Sequence, residues 1–204
     1  TVTSTDNGES SVMTKRIAVA GMCAASAGGE VFLRRAREEH LSTVTAVLRE
    51  AGCRVCSGRG GIACTREGGL SAVRPVRTAP YPGFPTDAQA ILMAALLKSR
   101  GATVFEENMF ENRYRHVDEL TRMGASIRVS GRAAVVSGVR SLRGAPVRCT
   151  DLRGGAALCV AALAAEGETL VSELCHIDRG YEDLVRDLRA LGANIAREEA
   201  ELPA

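Results

Sequence analysis

The chain has no tryptophan, and aromatic residues make up only 3% of its 204 residues. Hydrophobic residues nevertheless reach 46%, so a core is available and must be built from Ala, Val, Leu and Ile. That apolar share excludes wholesale disorder. The sequence also lacks an excess of either charge, with 26 basic against 24 acidic residues and a net charge of +2. A nucleic-acid partner would want a dense basic stripe, so none is expected. Long hydrophobic runs are missing too. The longest, Ala156 to Ala165, is about half of the roughly 20 residues that a bilayer crossing requires, and no membrane partner is expected.

Seven cysteines, at 23, 53, 56, 64, 149, 159 and 175, are an odd and scattered set. With no signal-peptide pattern at the front, they read as free thiols in a cytoplasmic protein. Cys53-x-x-Cys56 with Cys64 nearby could suggest zinc, but the spacing has no fourth ligand in reach, and no metal is expected. Residues 1–11, TVTSTDNGESS, are small and polar and read as a disordered or linker segment. No initiator methionine precedes them, and the chain reads as cut at its front.

What the chain does have is internal repetition. PTDAQAILMAALLKSRG and CTDLRGGAALCVAALAAEG both run Thr-Asp-x-[Gln/Arg], then an Ala-rich stretch, then glycine. Twelve residues past each of those glycines stands an arginine, Arg113 in ENRY and Arg179 in DRGY. A weaker third copy lies upstream. Glycines before strands fall at 29, 101 and 167, and glycines ending helices at 52, 124 and 192. Gly suits the position past a helix end, which often needs positive φ. Each copy reads helix, Gly stop, strand, loop, helix, Gly stop, strand. Repeats of roughly 70 residues exceed solenoid units, so the expectation is three βα subdomains packed together.

Within this frame, Ser42–Ala51 carries Val44, Val47 and Leu48 at helical spacing. SGRGG at 57–61 makes a turn between short strands, not a nucleotide loop, because no helix follows. The proline-rich stretch 74–85 runs extended and delivers Thr86-Asp87 to a helix over Ala88–Ser99. Thr86 is expected as its N-cap, with Asp87 in the first turn. Thr150-Asp151 repeats this before a helix over Leu152–Ala165. Both pairs could be simple caps. NMFENRY at 108–114 and HIDRGY at 176–181 end strands expected over 103–107 and 169–174, where functional loops commonly sit. Arg113 and Arg179 could be surface salt bridges, but their matching places in two copies favour a functional reading. His116 and His176 read as structural.

PYPGFPTDAQA, FENRYRHVDELTRMGA, TDLRGGAALCVAALAAEG and HIDRGYEDLVRDLRALGANI together resemble the UDP-N-acetylglucosamine enolpyruvyl transferases of bacterial cell-wall synthesis. The resemblance runs from about Lys15 to Ala196. It implies an α/β (α+β) fold: an inside-out α/β barrel of three βαβαββ units with pseudo-threefold symmetry, helices buried and sheets outward. Residues 12–204 would form one domain, with units at about 12–72, 73–140 and 141–204. The implied reaction moves enolpyruvyl from phosphoenolpyruvate to the sugar 3-hydroxyl with release of phosphate, the first committed step of peptidoglycan synthesis, without a cofactor. Asp87 matches the residue that contacts that hydroxyl and takes its proton. Arg113 and Arg179 match arginines that hold phosphoenolpyruvate, with Arg179 counted with Asp87 as catalytic. Asp151 and Arg153 match a pair at the closed cleft. Met109 falls where main chain contacts the sugar nucleotide.

The chain departs from the family as well. A Pro-Asp-Arg-Ile motif reads Met13-Thr14-Lys15-Arg16-Ile17 here, and the following stretch is about two residues short. The resemblance covers only the second of the family's two domains. A lysine–asparagine pair, the loop with the acid cysteine and several phosphate-binding arginines belong to the first, and none of the seven cysteines corresponds to the catalytic one. The expectation is half of an enzyme, inactive without its amino-terminal domain supplied in cis or trans. The alternative is a non-catalytic truncated paralogue that binds sugar nucleotide or acts as an interaction module.

Overall fold

A helix that is apolar all round can only be buried, and two such helices, packed with a third, organise this molecule. A computed structural model describes residues 10–198. The first part contains α1 (Ser10–Ala27), β1 (Gly29–Arg34), α2 (Ser42–Glu50), β2 (Arg54–Gly58) and β3 (Gly61–Arg66). The second contains β4 (Val76–Arg77), α3 (Thr86–Ala95), β5 (Ala102–Glu106), α4 (Val117–Arg122), β6 (Ser126–Ser130) and β7 (Ala133–Ser137). The third contains β8 (Leu142–Arg143), β9 (Pro146–Arg148), α5 (Leu152–Ala162), β10 (Ala165–Glu166), β11 (Leu170–Ser172), α6 (Cys175–Asp178) and α7 (Leu184–Ala190). All six glycines singled out by the repeat have φ between 86° and 105°, a conformation that only glycine adopts without strain.

The helices α1, α3 and α5 pack on one another. Every residue from Ala88 to Ala95 in α3 is buried, as is every one from Gly154 to Ala161 in α5. Small side chains let their backbones approach, and Ser26 Oγ donates to the Val160 carbonyl at 3.0 Å to tie α1 to α5. Sheets cover this core. One has the order β1-β3-β2, antiparallel; another is β4-β5-β7-β6, with β4 parallel to β5. In the third part, β9 pairs in parallel with β11, and β8 with β10. Beside a single ring, Phe105, the largest fully enclosed side chains include Met22, Ile91, Leu92 and Met93, so aliphatic and sulfur groups fill most of the space that rings would occupy elsewhere. This is the mixed α/β architecture expected, helices inside and strands outside.

Several boundaries differ from expectation. α3 begins two residues earlier, at Thr86, and passes into a 3-10 turn at Leu96–Lys98. α5 stops at Ala162 because Ala165–Glu166 pairs with Leu142–Arg143. β5 and β11 are each shorter than, or offset from, the strands read from sequence. The polar opening segment lies outside the described residues except at Ser10 and Ser11, which begin α1. No helix among the described residues is long and apolar enough to cross a membrane.

Candidate active site

The two Thr-Asp pairs meet at one end of the buried helices, and they are not used alike. At α3 the N-cap is Pro85, extended at φ −71° and ψ 131°, without a side-chain cap. Thr86 therefore does not cap. Its hydroxyl points away and donates to Glu107 Oε2 at 2.8 Å. Asp87 stands in the first turn, where the helix dipole favours negative charge. At α5 the cap is Asp151 rather than Thr150. Asp151 is extended, and its Oδ1 accepts from the Arg153 and Gly154 amides at 2.9 and 3.0 Å. The helices start at different offsets from the same dipeptide, so one aspartate reaches outward and the other closes its own helix.

Arg153 Nε then pairs with Asp87 Oδ1, joining the starts of α5 and α3. Both side chains keep some access to solvent, at 27% and 29% exposure. Arg113 arrives from the loop after β5, its guanidinium 4.2 Å above the Phe110 ring, a favourable cation–π distance. Burial holds its pKa below the usual arginine value, and the neighbouring Arg153 charge adds to this; Glu107, Asp87 and Asp151 act in the opposite sense. Two guanidiniums and three carboxylates thus share one corner. Arginine forks suit carboxylate and phosphate oxygens by planar two-point contact.

Tyr181, 3% exposed, lies close enough to Asp87 and Arg153 to feel both charges. Burial, then Asp87, push its hydroxyl well above the usual phenol range. Arg179, four residues into HIDRGY, caps α6 and brings its Nη2 to 2.6 Å from His176 Nδ1. Its described hydrogen bond is thus to a histidine rather than to the acidic corner. The turn it occupies is nonetheless set beside the start of α5. A Cβ on Gly180 would stand 2.4 Å from Leu152 Cδ2, so a larger residue there would have to displace the Leu152 side chain. Met109 is 40% exposed, and its amide donates to Glu107 Oε1 at 2.8 Å, which commits that N–H within the protein.

His116 is fully enclosed, and neither ring nitrogen makes a well-formed hydrogen bond. Burial pushes its pKa down to about 4, offset in part by the nearby Asp151 carboxylate and the Arg113 main chain. Its Cβ would stand 2.9 Å from a Cβ on Gly154, which places it under the first turn of α5. Sequence reasoning missed Glu107 and Tyr181 as members of this corner. Tyr181 had a signal, since a Tyr follows the arginine in both copies. Glu107 had none, because a second acid after a strand has no period to mark it. Cys53 is buried and Cys56 exposed. Among the described residues no group of three or more His, Cys, Asp or Glu side chains is placed to hold a metal ion.

Comparison with known proteins identifies the family and the fold. The family model described as EPSP synthase (3-phosphoshikimate 1-carboxyvinyltransferase) matches residues 12–199. A UDP-N-acetylglucosamine 1-carboxyvinyltransferase from Myxococcus xanthus is 50% identical over 179 residues, 88% of this chain and 42% of its own length. A protein of the same name from Rhodopseudomonas palustris is 51% identical over 177 residues, 86% of this chain and 41% of its own. Among solved structures, the enolpyruvyl transferase NikO from Streptomyces tendae superposes with a TM-score of 0.78 at 27% identity, covering 88% of this chain and 43% of that one. The chain spans less than half the length of the curated relatives it matches. The resemblance read from its motifs and the fold built from its residues converge: the chain belongs to the EPSP synthase family of enolpyruvyl-transferase domains.

Proposed function

We propose that this chain is the carboxy-terminal catalytic half of a UDP-N-acetylglucosamine enolpyruvyl transferase, taking phosphoenolpyruvate and the sugar nucleotide as substrates in the cytoplasm for peptidoglycan synthesis. The observation that carries the reading is the joining of Asp87, Arg153, Arg113 and Asp151 at the starts of two buried helices. Residues 12–204 act as one domain of three units. Asp87 takes the proton of the attacking 3-hydroxyl; it stands in the first turn of α3, where it pairs with Arg153. Arg113 and Arg179 hold the carboxylate and phosphate of phosphoenolpyruvate, while Asp151 fixes the α5 turn that presents Arg153. Met109 contributes main chain to the sugar-nucleotide side, through groups other than its committed amide.

Catalytic sets act as units, and the general acid belongs to the part of such enzymes that this chain does not cover. The test is phosphate release with both substrates. The 204-residue chain alone should give none above blank. Adding the amino-terminal half of the Myxococcus xanthus relative should give release that depends on both substrates. Sugar-nucleotide binding with no turnover in either mixture would favour a binding module instead, and binding of neither substrate would end both readings.

A further inference from the structure

Glu107 is a carboxylate with 1% exposure, set just past the end of β5. Burying such a charge is costly unless donors meet it. Four do, from three separate segments. Thr78 Oγ1 donates to its Oε1 at 2.9 Å, and the Met109 and Phe110 amides donate to the same oxygen at 2.8 and 3.1 Å. Thr86 Oγ1, at the first residue of α3, donates to Oε2 at 2.8 Å. Thr78 Oγ1 in turn accepts the Asn108 amide at 2.8 Å. Three successive amides of the loop that leads to Arg113 are therefore held by one carboxylate and its threonine. On the other side that carboxylate grips the residue next to Asp87.

We infer that Glu107 is a positioning residue, whose carboxylate ties the Met109–Arg113 loop to the first turn of α3 and so fixes Arg113 and Asp87 relative to one another. Glu107, 1% exposed, acts through the groups it holds. What the positioned groups do rests on the enolpyruvyl-transferase reading; the tie itself does not. Its charge also lies near Arg113, where it favours the protonated guanidinium.

The inference can be tested on the 204-residue chain by amide hydrogen exchange. Glu107→Ala should speed exchange at Met109 and Phe110 by about 100-fold while Val31 and Cys64, in the distant β1–β3 pairing, keep theirs. Glu107→Gln should restore most of the protection. Its amide oxygen can face the two N–H groups while its NH2 donates to Thr86 Oγ1, which can accept. If Glu107→Ala does not fold, the double variant Thr78→Val with Thr86→Val should loosen the same loop. Unchanged exchange at Met109 and Phe110, or an equal rise across the whole chain, would overturn the positioning role. Turnover with the supplied amino-terminal half should fall at least about tenfold in Glu107→Ala and recover in Glu107→Gln. Absence of turnover in the unmodified chain mixed with the supplied amino-terminal half would count against the functional reading, and exchange alone would then decide on Glu107.

Discussion

Asp87 and Asp151 occupy matching places in a repeated dipeptide yet do different work: Asp151 caps α5 and accepts two of its amides, while Asp87 stands in the first turn of α3 and pairs with Arg153. Replacing Asp87 with Asn keeps its shape but removes its capacity to take a proton. In the supplemented assay Asp87→Asn should lower turnover by about 10²–10⁴-fold, with much less effect on sugar-nucleotide binding; near-normal turnover would remove it from the base role. His116 has a consequence for stability. Its folded pKa of about 4 lies below the ordinary 6.5, so the unfolded chain binds the proton first as pH falls. Stability should be full above about pH 6.5 and decline towards pH 4, with a total loss on the order of 3 kcal/mol from this group. Thermal melts of His116→Leu against the unmodified chain should show a flatter decline across that window. An identical slope in both would assign the loss to other groups.

At the scale of elements, the start of α5 carries more constraint than its sequence suggests. The cap from Asp151 satisfies two amides, and its loss in Asp151→Ala should cost about 1 kcal/mol. A Cβ at Gly155 would stand 2.3 Å from Cys149 Sγ and 2.6 Å from Ile177 Cγ1. Gly155→Ala should therefore cost about 1–3 kcal/mol through overpacking, although alanine is the better helix former. Denaturant melts that found Gly155→Ala neutral or stabilising would mean that the contact with α6 yields easily. The Ala-rich pattern of α3 and α5 made burial legible, because no polar stripe interrupts either helix. Their ends were less legible. Pro85 taking the cap from Thr86, and the short β8–β10 pairing that stops α5, depend on partners far along the chain.

Across the whole molecule, the helices-inside arrangement sorts the thiols. Cys23, Cys53, Cys64, Cys149 and Cys159 are buried, and only Cys56 and Cys175 are exposed. Burial raises Cys23 and Cys159 to about 12 and Cys149 to about 11, which further suppresses their thiolates. An aromatic disulfide reagent at neutral pH should titrate two thiols quickly in the native chain and the remaining five only on unfolding. A fast phase of three or more would mean that part of this core opens readily.

The sequence by itself determined the repeat, the family, the buried character of the central helices and the glycine turns, since each follows from local composition or from spacing along the chain. It also put Asp87, Arg113, Asp151, Arg153 and Arg179 forward as site residues. Only the tertiary structure decided which of them meet. Asp87 pairs with a side chain 66 residues away, Arg179 turns to His176, and Glu107 draws three segments together. Such contacts join residues whose separation in sequence has no period, and their energies depend on burial, which the fold creates and a linear pattern does not carry.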